Sequence, residues 1–303
     1  MAISRSQLVK ELEPGLNALF GLEYKRYENQ HAEIYTTESS DRAFEEEVML
    51  SGFANAQVKG EGAGVSFDEA QETFTARYTH ETIALAFAIT EEAIEDNLYD
   101  RISSRYTKAL ARSMSNAKQV KAVQPLINGL PSTATFKSGD AKALFTTNHP
   151  TVAGTFSNTL TTQADLNETS LEQSLIDIGK MTDERGLKVA ARGVKMIVPS
   201  ENQFNAERLM KSAGRTGTAD NDINAIASMG MIPQGYRVNN YLTDSDSFYI
   251  VTDVPNGMKM FSRAPLTTAM EGDFDTGNVR YKARERYSFG VSDPRGIYGV
   301  EGA

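Results

Sequence analysis

Three histidines, His31, His80 and His149, are the only imidazoles in the chain of 303 residues, and they stand far apart. None falls in the H-x-x-x-H or H-E-x-x-H spacing that sets two nitrogen ligands on one helical face, so the sequence predicts no zinc centre. His80 and His149 read as structural or solvated residues. Cysteine is absent, which removes disulfides, thiolate nucleophiles and cysteine-ligated clusters. There is no G-x-S-x-G elbow and no Walker loop. GEGAG at 60–64 lacks the following Lys-Ser/Thr and helix start of a phosphate cradle, and reads as a flexible loop. The triplet Glu45, Glu46, Glu47 and the cluster Asp220, Asn221, Asp222 lack the order of a calcium loop; they read as solvated charge or subunit salt bridges. In RYKARER at 280–286 the bases interleave with Glu285 and apolar residues, a pattern that fits an inter-subunit face better than a phosphate grip. These residues predict no catalytic site, no cofactor and no metal site.

Residues 90–128 read as one long amphipathic helix. Ile94, Leu98, Ile102, Tyr106, Leu110, Met114 and Ala117 recur at three or four and line one face. Thr90 is the expected N-cap, acids fill the first turns (Glu91, Glu92, Glu95, Asp96), bases follow (Arg101, Arg105, Lys108, Arg112, Lys118, Lys121), and Pro125 signals the end, an order that matches the helix dipole. Such a helix runs roughly 50 Å and should cross a whole domain.

Around this spine the pattern changes several times. At 6–20 the leucines have helical spacing, but Pro14 and Gly15 predict a short or broken helix. Residues 21–42 are polar and tyrosine-rich without a period, so 1–52 reads as an extended N-terminal arm. Small residues and glycine at 52–64 precede a clean alternation over 73–89, which predicts a hairpin with a long strand. Its outer part, with Phe74, Ala76 and Tyr78 on one face, slips phase near 80–82, implying a bulge or bend; its inner part, IALAFAI, reads as a core strand. Residues 129–167 read as loops and short strands. Then come a helix carrying Leu171, Leu175, Ile178 and Met181 and ended by Gly186, a buried strand VKMIVP, and a helix with Ser200 and Gln203 as capping box. A short helix near 224–229 and two strands, YRVNNYL and SFYIVTD, complete a compact α/β unit at 168–255. From Met258 β patterning returns, and 278–291 alternates Val279, Tyr281, Ala283 against Arg280, Lys282, Arg284.

Hydrophobic residues at 40% suffice for a core. No apolar run approaches the ~20 residues of a membrane span, and the first residues carry no signal-peptide core, so a soluble protein made in the cytosol is expected. The formal charge of −9 argues against a protein whose main task is gripping phosphate backbones.

SSDRAFEEEVMLSGF, FTARYTHETIALAFAITEEAIEDNLYD and MEGDFDTGNVRYKARERYSFGVSDPRGIYG, together with the order arm, hairpin, spine helix, α/β unit and closing strands, resemble the major capsid proteins of tailed bacteriophages with the Hong Kong 97-type fold. The resemblance covers nearly the whole chain. It implies an α+β fold with an N-terminal arm (1–52), an E-loop hairpin with its root strand (53–89), a P-domain with the spine helix (90–167), an α/β A-domain (168–255) and closing strands returning to the P-domain (256–303). It implies a structural subunit, not an enzyme, that self-assembles as hexamers and pentamers into an icosahedral head around double-stranded DNA. That DNA is enclosed without specific binding, and the protein resides in the virion after assembly in the bacterial cytoplasm. Separate scaffolding, portal and decoration proteins are the implied partners, with no membrane. An encapsulin-like nanocompartment holding a cargo enzyme is the alternative on the same fold. Subunit contacts are expected at Lys59, Glu61, Phe67, Arg77, Glu45, Glu46, Arg280 and Arg284. The arm begins almost at Met1, which argues against a fused scaffold segment, and Lys59 has no assignable Asn partner, which argues against isopeptide cross-links.

Overall fold

A computed structural model describes residues 5–90, 92, 99–215, 222–273 and 277–303, with backbone alone for 5–13 and 99–102. Two four-stranded sheets organise it. The first has the order β1 (Thr36–Ser39), β10 (Met258–Gly272), β11 (Val279–Val291), β4 (Glu81–Ile89), with β1 parallel to β10 and the other pairs antiparallel. In the second the order is β12 (Ile297–Val300), β9 (Phe248–Thr252), β7 (Gly193–Val198), β8 (Tyr236–Val238), and only β7 and β8 run parallel. Two ribbons stand apart from these sheets: β2 (Phe44–Leu50) with β3 (Glu72–Thr79), and β5 (His149–Thr151) with β6 (Gly154–Phe156).

Two helices cover the first sheet. α1 (Arg5–Arg26) is a single helix with Pro14 inside it, which corrects the expected break at Pro14–Gly15 and the extended reading of 21–26. An interior proline costs about 3 kcal/mol. Against that cost, Leu16 and Phe20 are buried with Leu110, Ala111, Met114, Tyr281 and Ala283, and each large side chain removed from water contributes about 1.5–3 kcal/mol. The burial of Leu16 and Phe20 therefore outweighs the breaker. Beyond α1, Ile34 and Tyr35 are core residues, and the Tyr35 hydroxyl donates to the Ala122 carbonyl at 2.6 Å.

α2 (Tyr99–Asn128) is the described part of the spine, about 45 Å long at 1.5 Å per residue. Ile94, Leu98 and the side chain of Ile102 lie outside the described residues, as does the predicted capping turn after Thr90. Leu110 and Met114 are buried as expected, but Tyr106 is 52% exposed and Ala117 is only half-buried. The seam instead runs through Ser103, Thr107, Ala111, Ser115, Gln119 and Ala122. These small or amide side chains let the helix lie close to its neighbours, and hydrophobicity alone did not mark them. Pro125 lies inside the last turn.

β4 is an edge strand, with Leu85 46% exposed, so the core-strand reading of IALAFAI is corrected: Ile89 is buried and Ile83 and Phe87 pack against the helix layer, while the alternate residues face solvent. The phase slip is a change of sheet. β3 ends at Thr79, β4 begins at Glu81, and His80 between them bonds Ser40 Oγ and Ser288 Oγ, both at 2.9 Å. The buried His149 is likewise structural, held by Asp140 at 2.6 Å and the Leu144 carbonyl at 3.1 Å.

Around the second sheet, α3 (Glu168–Lys180) is capped by Asn167 and Ser170. It stops at Lys180, not Gly186, which takes φ +83° in the following turn. α4 (Gln203–Lys211) has no side-chain cap, because Ser200 Oγ donates to Asn240 Oδ1 instead; the predicted capping box does not form. α5 (Ala225–Met229) begins at Asn224 as expected. Ile197, Tyr249 and Ile297 of this sheet share a core with Ala122, Val123 and Leu126 of α2, so the spine joins both sheets.

Truncating Leu110 or Met114 to Ala should destabilise the subunit by about 2–5 kcal/mol in denaturant unfolding. A second expectation concerns His31, whose ring is locked to Gln119. Burial and the nearby Lys118 lower its pKa from 6.5 to about 4. Between those values the unfolded chain binds a proton that the native chain refuses, so stability is full above ~6.5 and falls as pH drops toward ~4. Melting temperature should fall over that window, and the fall should be shallower in His31→Gln.

Candidate assembly surfaces

FEEEVML, the β2 sequence, alternates at period two, and the strand accordingly has two unlike faces. Glu45, Glu47 and Met49 point toward the body of the subunit; Phe44, Glu46, Val48 and Leu50 point to solvent. The acidic triplet is thus divided. Glu45 accepts from Ser40 Oγ at 2.6 Å. Glu47 pairs with the buried Lys259 at 2.5 Å, and Glu38 reaches the same ammonium at 3.1 Å. Burial opposes the charge on Lys259, yet the hydrogen bonds and charges of Glu47 and Glu38 raise its pKa above the ordinary value. The other oxygen of Glu47 accepts from Ser292, which also meets the Tyr78 hydroxyl at 2.5 Å. Tyr78 lies on Gly290, where an added Cβ would stand 2.6 Å from the ring, and its edge meets Phe261 at 4.8 Å between centroids.

A second buried ion lies beside this root. Arg295 pairs with Glu184 at 2.6 Å and Asp293 at 3.2 Å, donates to the Thr182 carbonyl at 2.8 Å and covers the Phe156 ring at 4.3 Å. Burial raises the carboxyl pKa of Asp293, against the pull of Arg295. Sequence reading missed Lys259 and Arg295, since no local pattern separates a buried cation from a solvated one.

Outside this root the ribbon is open. Phe44, Val48, Leu50 and Phe53 are 38%, 46%, 63% and 61% exposed. Arg77 pairs with Glu46 at 3.6 Å and lies 4.0 Å over the Phe44 ring. The loop at 51–71 is closed at its base by Ser51 N–H to the Gln71 carbonyl (2.8 Å) and by Ala54 N–H to Asp68 (2.7 Å). The backbone N–H groups of Ala54 and Glu69 hold the Asp68 carboxyl below its ordinary pKa. Arg185 donates to the Glu69 carbonyl at 2.5 Å. Farther out, one turn closes between Gly60 and Ala63; Lys59 and Glu61 are exposed, Val58 is 100% exposed and Phe67 97%.

The remaining candidates lie on β11. Arg280, Lys282 and Arg284 face solvent, and Val279, Tyr281 and Ala283 face the helices, as the alternation predicts. Arg280 is ion-paired to Asp273 at 2.5 Å. Glu285 does not interleave with the bases in space: it is 2% exposed and meets Lys118 at 3.2 Å, with burial raising its pKa. The contact candidates thus form a hairpin group (Glu45, Glu46, Lys59, Glu61, Phe67, Arg77) and a sheet group (Arg280, Arg284), with Glu45 turned inward. The apolar row Phe44, Val48, Leu50 was absent from the sequence candidates, although its period-two spacing was readable. Asp220 and Asn221 lie outside the described residues. Among the described residues no group of three or more His, Asp or Glu is placed to hold a metal ion, and no helix is long and apolar enough to cross a membrane.

Solved shells have this architecture. The chain is similar to the capsid of an empty GTA particle (TM-score 0.58, 13% identity, 90% of this chain and 89% of that one). It is also similar to the capsid of the Myoviridae phage XM1 (0.53, 11%, 89% and 89%) and to the virus-like particle from Pyrococcus furiosus (0.52, 11%, 94% and 98%). At such identities the likeness carries the fold alone, which is the Hong Kong 97-type fold. No curated protein sequence matches the chain. The phage capsid protein family is matched over residues 72–300, from the first residue of β3 to the last of β12, and with the whole second sheet, three of the four strands of the first, the spine and half of the hairpin inside that match the chain belongs to that family.

Proposed function

We propose that many copies of this subunit assemble as hexamers and pentamers into an icosahedral phage head enclosing double-stranded DNA. The observation that carries the reading is the hairpin: a ribbon fixed at its root by buried charge yet carrying Leu50, Phe53, Val58, Val65 and Phe67 in solvent. A two-stranded ribbon with no covering layer is marginal alone, and an exposed apolar group of this kind marks an interaction surface. In a closed symmetric shell the same contact is repeated at every copy, so a modest free energy per hairpin is multiplied. In this reading β2 belongs to the E-loop with β3, 90–167 to the P-domain and 168–255 to the A-domain. The closing strands divide, β10 and β11 going to the first sheet and β12 to the second. Scaffolding, portal and decoration proteins are separate partners. An encapsulin-like cargo shell is the second reading on the same fold; the phage capsid family match favours the head.

Two outcomes test this. Replacing residues 58–67 by a short Gly-Ser turn keeps the anchors Ala54, Asp68 and Arg185, so the subunit should keep its melting temperature and circular dichroism while closed shells vanish from micrographs. Normal shells from the shortened protein would sink the assignment. The unassembled subunit, at −9 overall, should bind duplex DNA more weakly than micromolar at physiological salt; a tighter constant would move it to a nucleic-acid-binding class.

A further inference from the structure

Residues 101–128 contain six bases and no acid, in a chain whose formal charge is −9. The structure divides these bases by what they touch. Lys118 turns inward to Glu285, Lys121 pairs with Glu81, and the side chain of Arg101 lies outside the described residues. Arg105, Lys108 and Arg112 are exposed on the face of α2 opposite Leu110 and Met114, and among the described residues no carboxylate lies within ion-pair distance of them. Glu23, on the adjacent helix beside Lys108 and Arg112, is engaged by Arg26 at 3.5 Å and by the Tyr27 hydroxyl at 3.2 Å.

Positions three and four apart on a helix are surface neighbours, so Arg105 with Lys108 and Lys108 with Arg112 are like-charge pairs that destabilise α2. No acid stands at any position three or four away from these three bases to offset the repulsion. The residues between and beside them, Ala109, Ser113 and Asn116, are exposed and neutral, leaving the cations unobstructed. The three span about 10 Å of helix axis. Duplex DNA presents one charge per ~1.7 Å of its length, so such a row meets several phosphates at any register. The solvent face of β11 is different in kind. There Arg280 is engaged by Asp273, Glu271 stands opposite it in the β10 register, and Arg286 is half-buried. At its Arg280 end that face is of mixed sign and suits a protein surface, whereas the α2 strip is of one sign and suits a polyanion.

We propose that Arg105, Lys108 and Arg112 form a sequence-independent contact with the phosphate backbone of the enclosed DNA, which turns this face of α2 toward the inside of the shell. The inference rests on the reading of the chain as a subunit of a DNA-containing shell and adds which face looks inward. Three charges bind weakly in one copy, and the effect accumulates over many copies along one duplex.

The test uses the full-length unassembled subunit and a short fluorescein-labelled DNA duplex, with anisotropy followed against salt. Arg105→Gln/Lys108→Gln/Arg112→Gln is compared with Arg280→Gln/Lys282→Gln/Arg284→Gln, which removes the same charge from the other face. The parent should show a log–log salt slope of about −3, from roughly 0.9 per neutralised phosphate. The helix-face variant should lose tenfold or more in affinity at roughly 50 mM salt, with the slope near zero, and the sheet-face variant should keep both. Each single substitution should flatten the slope by about one, which decides the matter even if the triple variant melts early. Parental binding by the helix-face variant, or loss confined to the sheet-face variant, would overturn the inference. So would tighter binding of poly-glutamate than of duplex, which would assign the strip to an acidic protein. Shell formation by the parent is scored separately in micrographs: its absence would defeat the capsid reading, while parental shells with unchanged duplex binding in the helix-face variant would defeat this inference alone.

Discussion

One ammonium group ties three strands together. Lys259 on β10 is shared by Glu38 on β1 and Glu47 on β2, and Glu47 passes the connection on through Ser292 to Tyr78 on β3. Removing a partner from a largely buried ion pair is far costlier than removing a surface one, because the remaining charge stays desolvated. The arrangement therefore fixes where the hairpin leaves the body of the subunit. Arg295, held by Glu184 and Asp293, fixes the turn before β12 beside the same root, so the hairpin base and the junction of the two sheets are one rigid place.

The charge of the chain is sorted by face, and the sum of −9 conceals the sorting. Glu45 and Glu47 of the hairpin are engaged at its root, Arg280 of β11 stands beside Asp273 and Glu271, and among the described residues no carboxylate lies within ion-pair distance of the mid-helix bases Arg105, Lys108 and Arg112 of α2. Composition argues correctly about what an isolated subunit does to a distant phosphate, since at physiological ionic strength the field is screened within ~8 Å. It says nothing about a contact made inside that distance.

Period and phase made most of the elements legible. Phe74, Ala76 and Tyr78 share a face because strands alternate, and the slip at His80 is visible because a change of sheet must break that alternation. Leu171, Leu175 and Ile178 mark α3 for the equivalent helical reason. What failed has identifiable causes. Pro14 was read as a breaker because local rules do not contain the burial of Leu16 and Phe20 on another helix. IALAFAI was read as core because apolar content does not reveal that β4 has a neighbour on one side only. The seam of α2 was misplaced at Tyr106 because close packing selects small residues such as Ala111 and Ser115, whose hydrophobicity is unremarked. At the candidate surfaces, the exposure of Phe67 and Arg280 follows from local composition and alternation, but the inward turn of Glu45 depends on the bend that brings Ser40 to it, and that of Glu285 on Lys118, far away in sequence.

The hairpin and the spine solve opposite problems. Side chains on the buried face of α2 gain their free energy within one subunit, so their cost of ordering is met on folding and is independent of concentration. Val58, Val65 and Phe67 gain nothing within the subunit, and ordering them in isolation would only forfeit conformational entropy. Their burial can be favourable only when a second surface arrives, which makes it a function of concentration and geometry. A chain built this way can fold first and assemble later. Its root, rigid and ionic, sets the direction of the hairpin, and its tip, glycine-rich and uncovered, adapts to whatever surface the symmetry supplies.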